Sequence, residues 1–243
     1  MAHILVTGST DGLGRATAET LLDDGHRVTV HARNRGRASA VADLVERGAG
    51  LVVADLADRD EVLAAVDTLA AGEPLDGVVH NAGVLSGRGV IPVNVVAPYL
   101  FTALLPVPTR HVYLSSGMHR GGRADLGSVD WSGRTESNSY SDTKLFVTAL
   151  SAAIAERWPD VQTAAVDPGW VPTKMGGRNA PDDFTLGHRT QERLVTGSEG
   201  ARSGAYWFHG RQQQPHPAVS DPRFRQALLD ALASATGVTL PAR

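Results

Sequence analysis

The sequence predicts the α/β fold class, as a single domain built on a doubly wound parallel sheet with helices on both faces. Short apolar segments alternate with segments of helical periodicity along most of the chain, which is typical of a parallel sheet covered on both sides. The 243 residues are 42% hydrophobic, enough for a sizeable core, and no linker, repeat or low-complexity segment divides them. We therefore predict one domain over residues 1–243.

Strands are predicted where short apolar runs lie between turns. The first precedes a glycine-rich turn, and the helix after it carries Ala16, Leu21 and Leu22 at near-helical spacing. The predicted strands comprise residues 3–6, 27–31, 51–54, 78–80, 112–114 and 163–166, and the predicted helices residues 15–24, 41–47, 61–71, 141–157 and 223–235. Residues 174–197 are expected to form a long loop or short helices over the substrate, and residues 211–217 to be irregular.

The composition excludes several classes of function. The formal charge is −3 and no basic stripe is interleaved with aromatic residues, so nucleic acid is not an expected partner. Cysteine is absent, which excludes disulfides, thiolate metal sites and a cysteine nucleophile, and the nine histidines show no metal-binding spacing. The first strand begins almost at Met1, and no apolar run approaches the roughly 20 residues that span a bilayer. We expect a soluble cytoplasmic protein without a metal.

A glycine-rich turn joins the first strand to the first helix. It runs Thr7-Gly8-Ser9-Thr10-Asp11-Gly12-Leu13-Gly14. At such a turn the backbone amides and the helix N-terminus can hold a diphosphate, and glycine lets the backbone approach the phosphates. An ordinary strand-to-helix turn is the alternative. If a dinucleotide binds here, the contacting residues are expected to be Gly8, Thr10, Asp11, Gly12, Leu13 and Gly14.

The residues at the end of the second strand usually decide between NAD and NADP. A carboxylate there binds the ribose hydroxyls of NAD, whereas a cation binds the 2′-phosphate of NADP. This strand is followed by Arg33 and Asn34, with no acid. Arg33 can offer a planar fork to phosphate, and Arg35 and Arg37 add positive potential. A solvated arginine loop is the alternative. We expect contacts from Arg33 and Asn34 to NADP(H), with NAD(H) less favoured.

One tyrosine, Tyr140, has a lysine four residues later, and helical spacing puts both side chains on one face. A free phenol has a pKa near 10, so we expect the ammonium of Lys144 to favour the phenolate. A compact ammonium also donates to ribose hydroxyls, which would explain a lysine here, since only Lys144 and Lys174 are lysine among 23 basic residues. A surface helix turn is the alternative.

These motifs, in this order, resemble the short-chain dehydrogenases. The spacing TGxxxGxG is that of the single-domain members, and differs from the GxGxxG of other dinucleotide folds and the TGxxGxxG of longer, sugar-nucleotide-modifying relatives. The run Ser115-Ser116-Gly117-Met118-His119, together with YSxxK at Tyr140, resembles the retinol-dehydrogenase-like branch. The resemblance covers about residues 3–173 and implies a Rossmann-like domain that binds NADP.

The resemblance also implies a catalytic set. Ser116 would be the hydroxyl that stabilises charge on the substrate oxygen, with Ser115 as the other candidate. The backbone carbonyl of Asn94 would hold a water that joins the lysine to solvent. The expected catalytic residues are therefore Asn94, Ser116, Tyr140 and Lys144.

Further cofactor contacts follow from the same resemblance. Asp55 and Leu56 close the third strand and would hold adenine, and Asn81-Ala82-Gly83 closes the fourth, where His80 replaces the first Asn of the family element. The run from Pro168 to Thr173 resembles the PGxVxT element at the nicotinamide. Its expected contacts, together with Tyr140 and Lys144, are Pro168, Gly169, Val171 and Thr173.

Two intervals depart from the family. The chain is short between Asn81 and Asn94 and between Asn94 and Ser116. We expect the helix between the fourth and fifth units to be almost lost and the next one to be shortened. Family members commonly pair through that later helix, so a homo-oligomer is compatible with the sequence but the usual tetramer is disfavoured.

The predicted function is NADP(H)-dependent interconversion of a carbonyl and an alcohol on a small or medium apolar substrate, with Tyr140 as the general acid and base. Residues that either line its pocket or pack in the core are Met118, His119, Trp131, Trp170, Met175 and Phe184. A non-catalytic NADP(H)-binding sensor or interaction protein on the same fold is the alternative. Epimerase or dehydratase chemistry is disfavoured by the glycine spacing and the short chain.

Overall fold

The computed structural model describes residues 1–106, 108–197 and 201–242. The strands among these residues are β1 His3–Val6, β2 Arg27–Ala32, β3 Gly50–Val53, β4 Gly77–His80, β5 Arg110–Leu114, β6 Gln162–Asp167, β7 Ala205–Phe208 and β8 Arg211–Gln213. They form one sheet in the order β3-β2-β1-β4-β5-β6-β7-β8. All neighbouring pairs are parallel except β7 and β8. The predicted α/β fold class is confirmed.

Helices cover both faces of the sheet. The α-helices are α1 Gly12–Asp23, α2 Arg35–Ala38, α3 Ala42–Glu46, α4 Arg59–Ala70, α5 Ala97–Leu104, α6 Tyr140–Arg157, α7 Phe184–Thr196, α8 Pro217–Ser220 and α9 Pro222–Thr236. A π-helical turn, Pro92–Val96, leads into α5, and 3₁₀ turns occur at Ser39–Val41 and Gly117–Gly121. One apolar cluster packs α4, α5, α6 and α9 against the sheet, and a second packs α1, α3 and α7 against it.

The strand order reverses between β1 and β4, at the centre of the sheet. In parallel α/β sheets the crevice at the carboxyl ends of the strands, at this reversal, is where ligands bind. The glycine-rich turn follows β1 and the Asn81-Ala82-Gly83 segment follows β4, so both predicted elements lie at this crevice.

The expectation that the helices around β5 are lost or shortened was wrong. The π-helical turn Pro92–Val96 continues directly into α5, and α6 is 18 residues long. The apolar residues of α5 explain its persistence, since every residue from Ala97 to Ala103 is buried. The shortened interval is instead the segment before the π-helical turn, residues 81–89, which contains no helix.

The outer side of α6 is covered by the chain itself. Helix α9 packs along α6, and the segment after α9 accepts hydrogen bonds from the side chains of Tyr99 and Trp158. The Tyr99 hydroxyl donates to the Val238 carbonyl at 2.6 Å, and the Trp158 indole Nε1 donates to the Pro241 carbonyl at 3.0 Å. The part of α6 beneath α9 is therefore not free to contact a second subunit.

The C-terminal third departs most from the sequence prediction. Residues 211–217 are not irregular throughout, because β8 pairs with β7, and neither strand was predicted. Residues 174–183 form a loop as expected, but residues 184–196 form the regular helix α7. Its face with Leu194 and Val195 is buried in the second apolar cluster, so α7 belongs to the helical layer and not to a lid.

No helix in the described part of the chain is both long and apolar enough to cross a membrane. Among the same residues, no group of three or more His, Asp or Glu side chains is arranged to hold a metal ion.

Candidate active site

A groove of about 750 Å³ runs along the carboxyl ends of β1, β2 and β4. It brings together most of the residues predicted to contact a dinucleotide, namely Gly8, Thr10, Asp11, Gly12, Leu13, Gly14, Arg33, Asp55, Leu56, Asn81, Ala82, Gly83 and Thr173. Asn34 does not line it. The Asn34 side chain instead caps α2 by accepting a hydrogen bond from the Arg37 amide at 3.0 Å.

The glycine turn is packed so closely that side chains would not fit. Gly8 has a φ of 67°, and a Cβ there would lie 2.9 Å from the Cα of Ala82. A Cβ on Gly14 would clash with the side-chain amide nitrogen, Nδ2, of Asn81. That amide donates to the Thr7 carbonyl at 2.9 Å, so the end of β4 fixes the turn. The turn leaves a cradle of backbone at the N-terminus of α1, which fits a diphosphate.

His31, which the sequence analysis did not single out, also fixes the turn. Its Nδ1 accepts a hydrogen bond from the Gly8 amide at 3.0 Å, and its Nε2 donates to the Ala54 carbonyl at 2.9 Å. Burial lowers the pKa of His31, so the neutral tautomer that makes both bonds persists at neutral pH. The signal in the sequence was the position of His31 near the carboxyl end of β2, where side chains can reach the glycine turn.

Two arginines line the groove beside the end of β2. Arg33 is exposed and lines it. Arg37 lines it as well, donates to the Thr10 hydroxyl at 3.1 Å and lies 3.7 Å from the carboxylate of Asp11. The sequence assigned Arg37 only to the general positive potential, whereas the structure places it directly on the turn.

A second cavity, of about 540 Å³, adjoins the groove, and the residues that line both are Leu13, Asn81, Gly83, Leu114, Thr173 and Met175. The predicted residues that line this cavity are Ser116, Tyr140, Lys144, Pro168, Gly169, Val171 and Thr173. Its apolar wall includes Leu85, Met118, Trp170, Met175 and Phe208. The serine, tyrosine and lysine therefore face one apolar space beside the groove.

Three of the six candidate pocket residues lie elsewhere. Trp131 packs against Phe146 with ring centroids 6.1 Å apart, and Phe184 lines a neighbouring pocket beside α1. His119 is fully buried. Its Nδ1 donates to the Ser116 carbonyl at 2.7 Å and its Nε2 accepts from the His216 amide at 3.0 Å, so it fixes the chain behind Ser116.

Tyr140 is the first residue of α6, and its position is set by a capping box. The Ser139 hydroxyl accepts a hydrogen bond from the Asp142 amide at 3.2 Å, and the Asp142 carboxylate accepts one from the Ser139 amide at 3.0 Å. These paired bonds satisfy backbone donors at the start of the helix. They hold the phenol at the edge of the cavity, directly after a loop.

The pKa of Tyr140 is raised to about 12, chiefly because burial disfavours the phenolate. The negative charge of Asp167 raises it further, and a hydrogen bond with Ser116 opposes the shift. The expected lowering of this pKa is therefore not found. In this arrangement Tyr140 is a protonated phenol, ready to donate and not to accept a proton.

Lys144 is almost completely buried, with 3% of its surface exposed. Its Nζ lies 5.3 Å from the centre of the Tyr140 ring and donates to the Leu114 carbonyl at 2.6 Å. Burial lowers the pKa of Lys144 to about 8, and the charge of Asp167 partly offsets that effect. The ammonium is thus held between α6 and β5, on the same side of α6 as the phenol.

The two serines after β5 have different surroundings. The Ser115 hydroxyl is buried and lies 2.6 Å from that of Thr148 on α6. The Ser116 hydroxyl accepts a hydrogen bond from the Met118 amide at 3.2 Å and forms a second hydrogen bond with the side chain of Tyr140. Ser116 is accordingly the serine that meets the phenol, whereas Ser115 joins strand to helix.

Asn94 lies in the π-helical turn and is buried. Its side-chain amide accepts from the Val84 amide and donates to the Val84 carbonyl, both at 2.9 Å, and donates to the Thr143 hydroxyl at 3.0 Å. The Asn94 side chain thus fixes the segment after β4 against α6. It does not line either cavity, so its place is behind the site.

Asp167 lines the cavity and was not predicted. It ends β6, is 7% exposed, and accepts hydrogen bonds from the Tyr206 hydroxyl at 2.8 Å and the Gly169 amide at 2.9 Å. Its charge raises the pKa values of both Tyr140 and Lys144. The signal in the sequence was an acidic residue at the end of an apolar strand, directly before the predicted cofactor contacts Pro168 and Gly169.

Known proteins resemble this chain in sequence and in fold. The family model described as short chain dehydrogenase matches residues 2–104. Short-chain dehydrogenase chry4 of Gibberella zeae is 36% identical over 257 residues, which cover 99% of each chain. The crystal structure of an uncharacterized protein from Mycobacterium paratuberculosis has a TM-score of 0.83 at 23% identity, covering 99% of this chain and 95% of the other. An NADPH-bound carbonyl reductase from chicken fatty liver has a TM-score of 0.69 at 23% identity, covering 88% and 98%.

Proposed function

The chain belongs to the short-chain dehydrogenase family, and from this we propose that it is an NADP(H)-dependent oxidoreductase that interconverts a carbonyl and an alcohol. One observation carries the proposal: Ser116, Tyr140 and Lys144 line a single apolar cavity that adjoins the glycine-rich groove. A protonated phenol beside a hydroxyl and a buried ammonium is suited to acid–base work on a substrate oxygen.

The groove residues fit a phosphorylated dinucleotide. Backbone at Gly8, Gly12 and Gly14 would hold the diphosphate, and Arg33 and Arg37 would hold a 2′-phosphate, where no acid opposes it. Lys144 would donate to the nicotinamide ribose, and Thr173 would lie near the ring. The chicken carbonyl reductase that this fold resembles is NADPH-bound, which agrees with the proposed binding of NADP(H).

When bound, NADPH supplies a hydride to the carbonyl carbon of the substrate. The hydroxyl of Ser116 donates a hydrogen bond to the carbonyl oxygen and stabilises the negative charge that grows there. Tyr140 gives its phenolic proton to that oxygen, which completes the alcohol. Lys144 then stabilises the resulting phenolate until it regains a proton from solvent. The reverse sequence oxidises the alcohol.

The raised pKa of Tyr140 keeps its phenol protonated at neutral pH. A phenol with a pKa of about 12 is fully protonated at neutral pH, as a proton donor must be. Oxidation requires the phenolate, which burial and Asp167 both disfavour. Carbonyl reduction therefore begins from the protonation state that Tyr140 has at neutral pH.

Turnover of a panel of apolar ketones and aldehydes tests the proposal, with loss of NADPH absorbance as the readout and NADH in parallel. We expect reduction of at least one member, faster with NADPH than with NADH, and much slower by the Tyr140→Phe variant, which serves as the control. Tight NADPH binding without turnover of any member, or of the corresponding alcohols with NADP⁺, would instead favour a non-catalytic sensor.

A further inference from the structure

Lys174 is the one lysine besides Lys144 among 23 basic residues, and the catalytic scheme does not use it. It follows Thr173 in the loop between β6 and α7. Although 78% of its side chain is exposed, its ammonium contacts the carboxylate of Asp11. A flexible surface lysine gains little from an isolated ion pair in water, so this placement needs another reason.

The loop that carries Lys174 lies against the N-terminus of α1. A Cβ on Gly12 would lie 3.3 Å from the methyl group of Thr173, which shows how closely the two segments approach. Lys174 lines the groove together with Gly12 and Leu13. The first backbone amides of α1 are the part of the groove that fits a diphosphate, so Lys174 stands beside that subsite.

Asp11 is an unexpected neighbour for a phosphate group. It caps α1 by accepting a hydrogen bond from the Gly12 amide at 2.8 Å, and its carboxylate would repel an anion beside it. Two cations face this carboxylate, Lys174 in direct contact and Arg37 at 3.7 Å. The hydrogen bond from Lys174 is the largest cause of a lowered pKa at Asp11, so the carboxylate is charged at neutral pH.

We propose that Lys174, held in place by Asp11, binds the diphosphate that NADPH and NADH share. This inference rests on the proposed dinucleotide binding and adds a cofactor-binding residue that lies outside the glycine turn, the Tyr140–Lys144 pair and the Pro168–Thr173 element. Lys174 offsets the charge of Asp11 and supplies a cation from the loop after β6.

Its effect on binding differs from that of Arg33. Arg33 lies at the adenosine end, where only NADP(H) carries a phosphate, so its loss affects one dinucleotide. Lys174 lies at the subsite common to both dinucleotides, so its loss affects both alike. The two residues therefore form a matched pair of exposed cations on one groove, of which Arg33 distinguishes the two dinucleotides and Lys174 does not.

The experiment measures the dissociation constants of NADPH and NADH by fluorescence titration, which requires no substrate. Lys174→Met is expected to weaken both dinucleotides by about the same factor, on the order of tenfold, as the loss of one charged hydrogen bond implies. Lys174→Arg, which keeps the charge, is expected to remain within about threefold of the wild type. Unchanged binding of both dinucleotides, or a loss confined to NADPH, would overturn the proposal.

The role of Asp11 is tested by repeating Lys174→Met in an Asp11→Asn background. Residues that act as a unit give non-additive effects, so the factor lost on Lys174→Met is expected to be much smaller in that background. An equal factor in both backgrounds would show that Asp11 does not hold the lysine and would overturn that part.

Failure of this inference is distinguishable from failure of the proposed function. A wild-type chain that binds neither dinucleotide overturns both. A wild-type chain that binds NADPH while Lys174→Met binds it equally well overturns only the role of Lys174. Because Lys174 is exposed, its variants should unfold at the wild-type temperature, and that measurement serves as the folding control.

Discussion

The ammonium of Lys144 donates a hydrogen bond to the main-chain oxygen of Leu114 at 2.6 Å. Leu114 ends β5, directly before Ser115 and Ser116. One buried cation therefore ties the helix that begins with Tyr140 to the strand that carries the serines. The relative position of phenol and serine hydroxyl follows from this bond and from the capping box at Ser139.

Replacement of each serine in turn separates a catalytic from a structural hydroxyl. Ser116→Ala should lower kcat by about 10²–10³, as expected when a donor to a developing oxyanion is removed. Ser115→Ala should lower the free energy of unfolding by about 1 kcal/mol, because it breaks the bond to Thr148, and should change kcat far less. Steady-state kinetics and denaturant unfolding of both variants check this. If Ser115→Ala had the larger effect on kcat, the two assignments would be exchanged.

Loss of Arg33 should change the choice of dinucleotide. Arg33→Ala is expected to raise the Kd of NADPH about tenfold or more and to leave that of NADH within about twofold, because only NADPH presents a 2′-phosphate to this end of the groove. Fluorescence titration with each dinucleotide provides the measurement. Equal loss for the two would refute a phosphate contact at Arg33.

NADPH binding should weaken as the pH rises through about 8. Burial lowers the pKa of Lys144 to about 8, partly offset by Asp167, so its ammonium is present below this pH and is lost above it. The groove arginines keep their charge over this range. We expect the Kd of NADPH to rise several-fold between about pH 7 and about pH 9 in the wild type. In the Lys144→Gln variant the Kd of NADPH should be higher than in the wild type but nearly independent of pH, and circular dichroism would verify that the variant is folded. A rise of the Kd with pH in this variant, parallel to that of the wild type, would contradict the role of Lys144.

Acid should destabilise the fold through a buried histidine pair. His80 Nε2 and His111 Nδ1 lie 3.1 Å apart, and the His80 ring stacks on Tyr113 at 4.5 Å. Burial, assisted by His111, lowers the pKa of His80 well below 6.5, whereas the unfolded chain titrates near 6.5. The contribution of His80 to the unfolding free energy should therefore be constant above this pH and fall below it, by up to about 1.4 kcal/mol per pH unit.

His80→Asn isolates that contribution. Denaturant unfolding at a series of pH values should give the variant a shallower loss of stability below pH 6.5 than the wild type, because one buried imidazole no longer resists protonation. An identical slope in wild type and variant would show that His80 does not titrate in this way.

The parallel core of the fold could be predicted from sequence because its signals are local. Each strand from β1 to β6 is a short apolar run, and the predicted and observed bounds agree within two residues. Strands β7 and β8 were missed because they pair with each other across the short turn at residues 209 and 210, and the polar sequence of Arg211–Gln213 carries no strand signal of its own. Their pairing depends on the position of β6, which is a tertiary contact.

The candidate site was predictable to the extent that its residues sit in motifs. Helical spacing predicted the pair Tyr140 and Lys144, and the resemblance to the family predicted Ser116; all three line one cavity. Spacing could not give the direction of the pKa shift at Tyr140, because that shift depends on burial and on Asp167, a residue from a different strand. The contact between Asp11 and Lys174 likewise joins residues that are distant in sequence.

Comparison of Tyr140→Phe with the wild type tests proton transfer by the phenol most directly, with NADPH binding and substrate turnover measured on the same preparations. The variant keeps the ring and removes the hydroxyl. We predict that the Kd of NADPH stays within about twofold while kcat for carbonyl reduction falls by about 10²–10⁴, the usual contribution of a positioned acid. Turnover within tenfold of the wild type, with NADPH still bound, would contradict the assignment of Tyr140 as the proton donor.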